Sequence, residues 1–151
     1  MMWPGPAVAQ DPAAGKVFTA TAPTLDGPAL DAVKLRGRTL VVNFWASWCA
    51  TCWAEQADLN TVPARERPLG IQFLGVDMDD SAASAQANVQ QFKIGYASLV
   101  DPTNGIGRRY QIFSPLSWLF VDSKGVVKRN VQGGLHSADL LAVIRAEFGK
   151  D

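Results

Sequence analysis

Apolar and polar positions along the chain mark out a short series of elements. Thr39-Leu40-Val41-Val42-Asn43-Phe44-Trp45 is β-branched and aromatic, with Asn43 as its single polar interruption. Such a run predicts a strand buried on both faces. Ile71 to Asp77 predicts a second buried strand and Ala97 to Val100 a shorter one. Weak alternation over Val17 to Thr21 predicts a first short strand, closed by a turn at Asp26-Gly27-Pro28. Ala29 to Leu35 reads as a short turn or strand. Trp118 to Asp122 and Val126 to Val131 flank the turn Ser123-Lys124-Gly125 and predict an antiparallel hairpin. Helices are predicted from Cys49 to about Thr61, ahead of Pro63, and from a Ser81 cap to about Phe92. A short helix is expected over Asn104 to Tyr110. The last follows Ser137, with Leu140, Leu141, Ile144 and Phe148 on its apolar face. Strands alternating with helices, then a hairpin and a closing helix, predict an α/β fold with a mixed sheet.

Length and composition narrow this further. The 151 residues fit one domain that can bury a core. A hydrophobic content of 48% with 19% charged residues excludes wholesale disorder. Fourteen basic and fourteen acidic residues cancel without a basic run, which argues against a nucleic-acid partner. Residues 1–16 read as a flexible leader or a trimmed export segment, since Ala7-Val8-Ala9 looks like the small-residue end of a secretory signal. Residues 17–151 form the expected domain.

The candidate chemistry sits in Trp48-Cys49-Ala50-Thr51-Cys52, where the first buried strand gives way to a helix. These are the two cysteines of the chain, three positions apart, so a helix places both on one face. Their Cβ atoms are then close enough for a disulfide to form and break with little backbone movement. A cysteine at a helix N-terminus has its thiolate favoured by unpaired N–H groups and the macrodipole. The thiolate is the nucleophile of thiol–disulfide exchange, so this strand–turn–helix predicts a redox centre.

On these residues the chain resembles thioredoxin-fold proteins and, among them, the TlpA/ResA/CcmG group of exported thiol–disulfide oxidoreductases. The segment Val41 to Cys49 carries the resemblance, together with Ala22-Pro23-Thr24-Leu25-Asp26-Gly27 and the helix Ser81 to Phe92, which is similar to a helix that group inserts. The resemblance runs from about Gly15 to Phe148. It implies a thioredoxin-like fold: a central mixed β-sheet flanked by helices, with an N-terminal strand extension and an inserted helix. It also implies that Cys49 attacks and Cys52 resolves. Client protein thiols or disulfides would be the partners, with apocytochrome c among the candidates, and a membrane or soluble thiol donor would supply electrons. A monomer in the periplasm or cell envelope is expected, tethered to the membrane before any trimming. No cofactor or metal is implied.

Three places are less regular. Asn43 stands where cytosolic thioredoxins carry a buried acid, and an amide cannot exchange a proton with Cys52, so that role is absent or filled elsewhere. Glu55 is one candidate, because Cys52, Glu55, Leu59 and Val62 share a helical stripe and the resembled group has an acid there. The alternative buried stripe is Ala50, Trp53, Ala54 and Ala57, which would leave Glu55 exposed. Trp53 stands where relatives carry a basic residue. Trp48 and Trp53 could form an apolar docking surface.

The loop before the hairpin would contribute Ser114, Pro115 and Leu116 to substrate binding. The resembled fold has a cis-proline beside its redox pair. Gapless reading from Tyr110 puts Leu116 at that place and Pro115 one position early. The two arrangements weighed are a cis Ser114–Pro115 bond and a displaced loop with trans Pro115. A cis bond at Leu116 is discounted, because a non-proline cis peptide costs about 2.5–4 kcal/mol. His136 reads as a solvated loop residue. A Cu(I) module built on both thiolates is the rival class, and an oxidant of exported proteins the rival direction. Peroxiredoxin chemistry is set aside, since neither cysteine has the upstream Pro and Thr/Ser that such sites require.

Overall fold

The structure is a computed structural model that describes residues 13–49, 60, 62, 70–133 and 135–148. Its strands are β1 (Thr21–Pro23), β2 (Ala29–Asp31), β3 (Thr39–Trp45), β4 (Ile71–Met78), β5 (Ser98–Asp101), β6 (Ser117–Val121) and β7 (Val127–Gln132). Among the described residues the α-helices are α1 (Ala82–Phe92), α2 (Gly105–Arg109) and α3 (Ser137–Phe148), and a 3-10 turn covers Ala32–Leu35. The main sheet has the order β5-β4-β3-β6-β7. β3 pairs in parallel with β4, and β4 with β5, whereas β3–β6 and β6–β7 are antiparallel. The expected mixed sheet is therefore present, with β1 and β2 as a separate antiparallel pair and α1 as the inserted helix.

Burial follows position in the sheet. β6 is buried along its whole length, β3 from Leu40 to Trp45 and β4 from Phe73 to Met78, as central strands covered on both faces are. β7, at an edge, is exposed at Lys128 and Gln132 and buried at Val127 and Val131. Ser81 caps α1 as expected, its hydroxyl accepting from the Ser84 N–H. Leu140 and Ile144 of α3 are fully buried, with Leu141 and Phe148 packed against the core.

The first expected strand is corrected. Phe18 and Ala20 are buried, so the alternation over Val17 to Thr21 is real. The segment nevertheless makes only a single bridge, Val17 to Val126, and the paired strand begins at Thr21. Its groups go instead to the hairpin turn and to Tyr110, the residue after α2: the Phe18 N–H donates to Gly125 O at 2.7 Å and the Thr19 N–H to the Tyr110 hydroxyl at 2.7 Å. Farther along, the Leu25 N–H donates to Ser98 O at 3.0 Å, fixing the strand extension to the β5 edge. Among the described residues no helix is long and apolar enough to cross a membrane.

Candidate active site

The site begins where β3 leaves the sheet. Trp45 is the last residue of β3, and a tight turn follows in which the Cys49 N–H donates to Ala46 O at 3.1 Å. This turn puts neighbouring residues in opposite environments. Trp48 is 59% exposed, whereas Cys49 is 6% exposed and disulfide-bonded. Cys52, Glu55 and both stripes considered for the following helix lie outside the described residues, except Val62, which is buried.

The turn is held by the segment that follows β4. Asp79 adopts a left-handed backbone, φ 54°, which bends the chain after Met78. The Asp79 carbonyl accepts from the Trp48 indole N–H at 2.9 Å. Asp80 Oδ2 accepts from the Ser47 N–H at 2.6 Å, and Oδ1 accepts from the Ser47 hydroxyl at 2.6 Å and the Ser81 N–H at 2.8 Å. Such short bonds are typical of an ionised acceptor. Partial burial works to raise the Asp80 pKa. Hydrogen bonds from Asp77, from the Ser47 hydroxyl and N–H and from the Ser81 N–H together outweigh it, and the pKa is lowered.

A buried acid that sequence reasoning missed stands next to it. Asp77 is in register with Trp45 on the parallel neighbour, so both side chains leave the sheet on the same face, the face that also carries Asn43. It is fully buried. Desolvation by burial pushes its pKa up to about 9, and a hydrogen bond with Asp80 and the charges of Asp80 and Asp101 act in the same direction. Strict alternation over Phe73, Gly75 and Asp77 was the available signal, since it puts an acid on an inward face. Asn43 is also fully buried, and its Nδ2 donates to the Tyr96 hydroxyl at 3.0 Å. Opposite it lies Gly75, where a Cβ would meet Ser98 Oγ and stand 2.8 Å from Trp45 Nε1. Glycine there leaves room for the buried Trp45–Ser98 hydrogen bond at 3.1 Å.

In the loop before β6 Pro115 is trans to Ser114, one of the two arrangements expected. The cis peptide bond among the described residues is Pro115–Leu116, which corrects the sequence expectation that a cis bond at Leu116 is too costly. Leu116 is buried, its carbonyl accepts from the Gly133 N–H at 2.7 Å, and the Ser117 hydroxyl donates to Ser114 O at 2.8 Å. Ser114 is exposed and Pro115 half-buried. Phe113, which the sequence reading did not single out, is 66% exposed. His136 is exposed ahead of α3, where its carbonyl accepts from the Leu140 N–H.

Comparison with known proteins agrees with this geometry. Residues 14–130 match the AhpC/TSA family. The chain is 33% identical over 100 residues to the thiol:disulfide interchange protein DsbE of Allochromatium vinosum, covering 66% of this chain and 54% of that protein. It is 21% identical over 109 residues to the thiol-disulfide oxidoreductase ResA of Bacillus thuringiensis subsp. konkukian, covering 72% and 63%. The chain thus spans little more than half to under two thirds of these relatives' lengths. A crystal structure of a secreted Mycobacterium tuberculosis disulfide oxidoreductase, homologous to E. coli DsbE, superposes with a TM-score of 0.75 at 25% identity, over 85% of this chain and 96% of that one. The fold is thioredoxin-like, and the chain belongs to the AhpC/TSA family, in the group that includes DsbE and ResA.

Proposed function

We propose that the chain is an extracytoplasmic thiol–disulfide oxidoreductase in which Cys49 and Cys52 form the redox pair. The observation that carries this reading is Cys49 itself: disulfide-bonded, at the turn that ends β3, next to a largely exposed tryptophan. Cys52 is the one other cysteine of the sequence. In the reducing direction the Cys49 thiolate attacks one sulfur of a client disulfide, forming a mixed disulfide and releasing the other client sulfur as a thiolate. The Cys52 thiolate then attacks Cys49, the mixed disulfide breaks, and the client leaves with two electrons gained. Glu55 is the acid proposed to take the Cys52 proton. Trp48, Phe113 and the segment Ser114, Pro115 and Leu116 form the proposed client-docking face. Clients would be exported proteins, apocytochrome c among them, and a membrane or soluble thiol donor would restore the reduced pair. An extracytoplasmic place is supported by the relative described as secreted.

The test is whether the reduced, metal-free monomer reduces the disulfides of insulin with a stoichiometry of one per protein. Titrating the pair against glutathione then gives its potential, and a value near the thioredoxin range of about −270 mV assigns the reducing direction. A potential near −120 mV would make it an oxidant. Absence of exchange, with tight Cu(I) binding in its place, would overturn the reading.

A further inference from the structure

The redox turn is gripped at both of its central positions by one short segment, the bend after β4. The Cys49 N–H donates to Ala46 O at 3.1 Å, so Ser47 and Trp48 are the middle residues of a four-residue turn. Ser47 makes two bonds to Asp80: its N–H donates to Oδ2 and its hydroxyl to Oδ1, each at 2.6 Å. Trp48 makes one to the neighbouring residue, from its indole N–H to Asp79 O at 2.9 Å. Asp80 is itself fixed from the other side, where Oδ1 also accepts from the Ser81 N–H at 2.8 Å. Ser81 caps α1 by accepting from the Ser84 N–H, and Gln86 of α1 donates to Leu25 O at 2.8 Å. Leu25 is bonded in turn to the β5 edge. One carboxylate therefore joins the turn to an anchored helix.

The residue that follows Ser47 and Trp48 is Cys49. Thiol–disulfide exchange requires the attacking sulfur to lie in line with the S–S bond it breaks, so the orientation of this turn bears directly on rate. A misplacement of about 1 Å at a reacting atom can cost about a hundredfold. A turn closed by one backbone bond does not fix its own orientation against the sheet, whereas charge-assisted bonds at its first central residue do. We propose that Asp80 is a positioning residue for exchange: its carboxylate, clamped between Ser47 and the start of α1, sets the direction in which the Cys49 sulfur is presented. The proposal rests on the function proposed above, since it takes Cys49 as the nucleophile. Asp80 acts through Ser47 and takes no part in the bonds exchanged. Two consequences follow from that route. The grip matters as much for a small disulfide as for a protein client, because it orients the sulfur and not the docking face. The Asp80 and Ser47 side chains are also energetically coupled.

Rates of reaction of the reduced protein with dipyridyl disulfide, a small client, and with insulin test both consequences. Asp80→Ala should slow both reactions about tenfold, the effect of losing charge-assisted hydrogen bonds to the turn. Ser47→Ala keeps the N–H bond and should slow both about threefold. Ser47→Thr keeps the hydroxyl as well and should react at the wild-type rate. In the double variant, Ser47→Ala should add nothing to Asp80→Ala, because the hydroxyl has already lost its acceptor. A residue that served stability alone would lower the unfolding temperature, leave the rate of the folded protein unchanged and give additive effects. Should Asp80→Ala fail to fold, Ser47→Ala against Ser47→Thr tests the same grip, and equal wild-type rates in that pair would overturn the proposal. Wild-type rates in a folded Asp80→Ala, a loss confined to insulin, or additive losses in the double variant would overturn it too. Insulin reduction retained by Cys49→Ser would overturn the proposed function instead, a result that none of the Asp80 and Ser47 variants can produce.

Discussion

Asp77 and Asp101 lie at the C-terminal ends of neighbouring parallel strands, both buried, and their surroundings are opposite. Asp101, the last residue of β5, accepts from the Ile106 N–H with both oxygens and from the Gly107 N–H, each at 3.1 Å. It satisfies N–H groups in the first turn of α2, which have no partner within the helix. Asp77, one strand inward, has no hydrogen-bond partner among the described residues, and the charges of Asp80 and Asp101 act on it. Burial alone therefore does not identify a working acid. The donors decide: a carboxylate with N–H partners belongs to the scaffold, and one without them keeps a proton that can be shared or moved.

The largest effect that separates the two corners is the pH dependence of stability. The Asp77 pKa is raised from the ordinary 3.8 to about 9, so its contribution is fully present below about pH 4 and is lost as pH rises through about 9. One proton held by the folded chain and not by the unfolded one gives a slope of at most about 1.4 kcal/mol per pH unit. Urea unfolding of the wild type should show stability falling across this window, and Asp77→Asn should flatten the curve. Asp101→Ala should lower stability at pH 7 by about 3 kcal/mol, since it strands two buried N–H groups. Equal slopes for wild type and Asp77→Asn would erase the contrast.

A smaller effect sharpens it. The Trp48 indole is mostly exposed, with one hydrogen bond to the bend that carries Asp80. Trp48→Ala should therefore cost only about 1 kcal/mol in thermal unfolding. If Trp48 forms part of the docking face, the same variant should raise the KM for insulin several-fold with a smaller change in kcat. A loss of stability as large as that of Asp101→Ala would place Trp48 in the scaffold.

Much of this was legible in the sequence, for identifiable reasons. β3 and β4 declare themselves because strands buried on both faces have nearly unbroken apolar runs, and α1 because Ser81 precedes a helical stretch. The hairpin declares itself through Ser123-Lys124-Gly125, which the structure places between β6 and β7. The segment Val17 to Thr21 shows why alternation is insufficient: its side chains alternate between core and solvent, but pairing is decided by the hairpin turn that reaches it. The loop before β6 shows the converse. Gapless counting places Leu116 at the cis position, local chemistry argues against it, and the cis bond is at Leu116. Asn43 announced that an acid was missing from its strand. The buried acid found on the same face is Asp77, contributed by a different strand, and only the β3–β4 register brings the two positions together. Cys49 and Trp48 were identified from the motif alone, and the structure places them as a buried disulfide-bonded sulfur beside an exposed indole.

The most direct test of the redox centre is capture of its mixed disulfide. Reduced Cys52→Ser and Cys49→Ser variants would each be mixed with an insulin disulfide and analysed by non-reducing mass spectrometry. If Cys49 attacks and Cys52 resolves, the Cys52→Ser protein accumulates a covalent adduct through Cys49, while Cys49→Ser forms none and reduces nothing. Adducts at equal rates from both variants, or adduct formation through Cys52 alone, would contradict the assignment of Cys49 as the nucleophile.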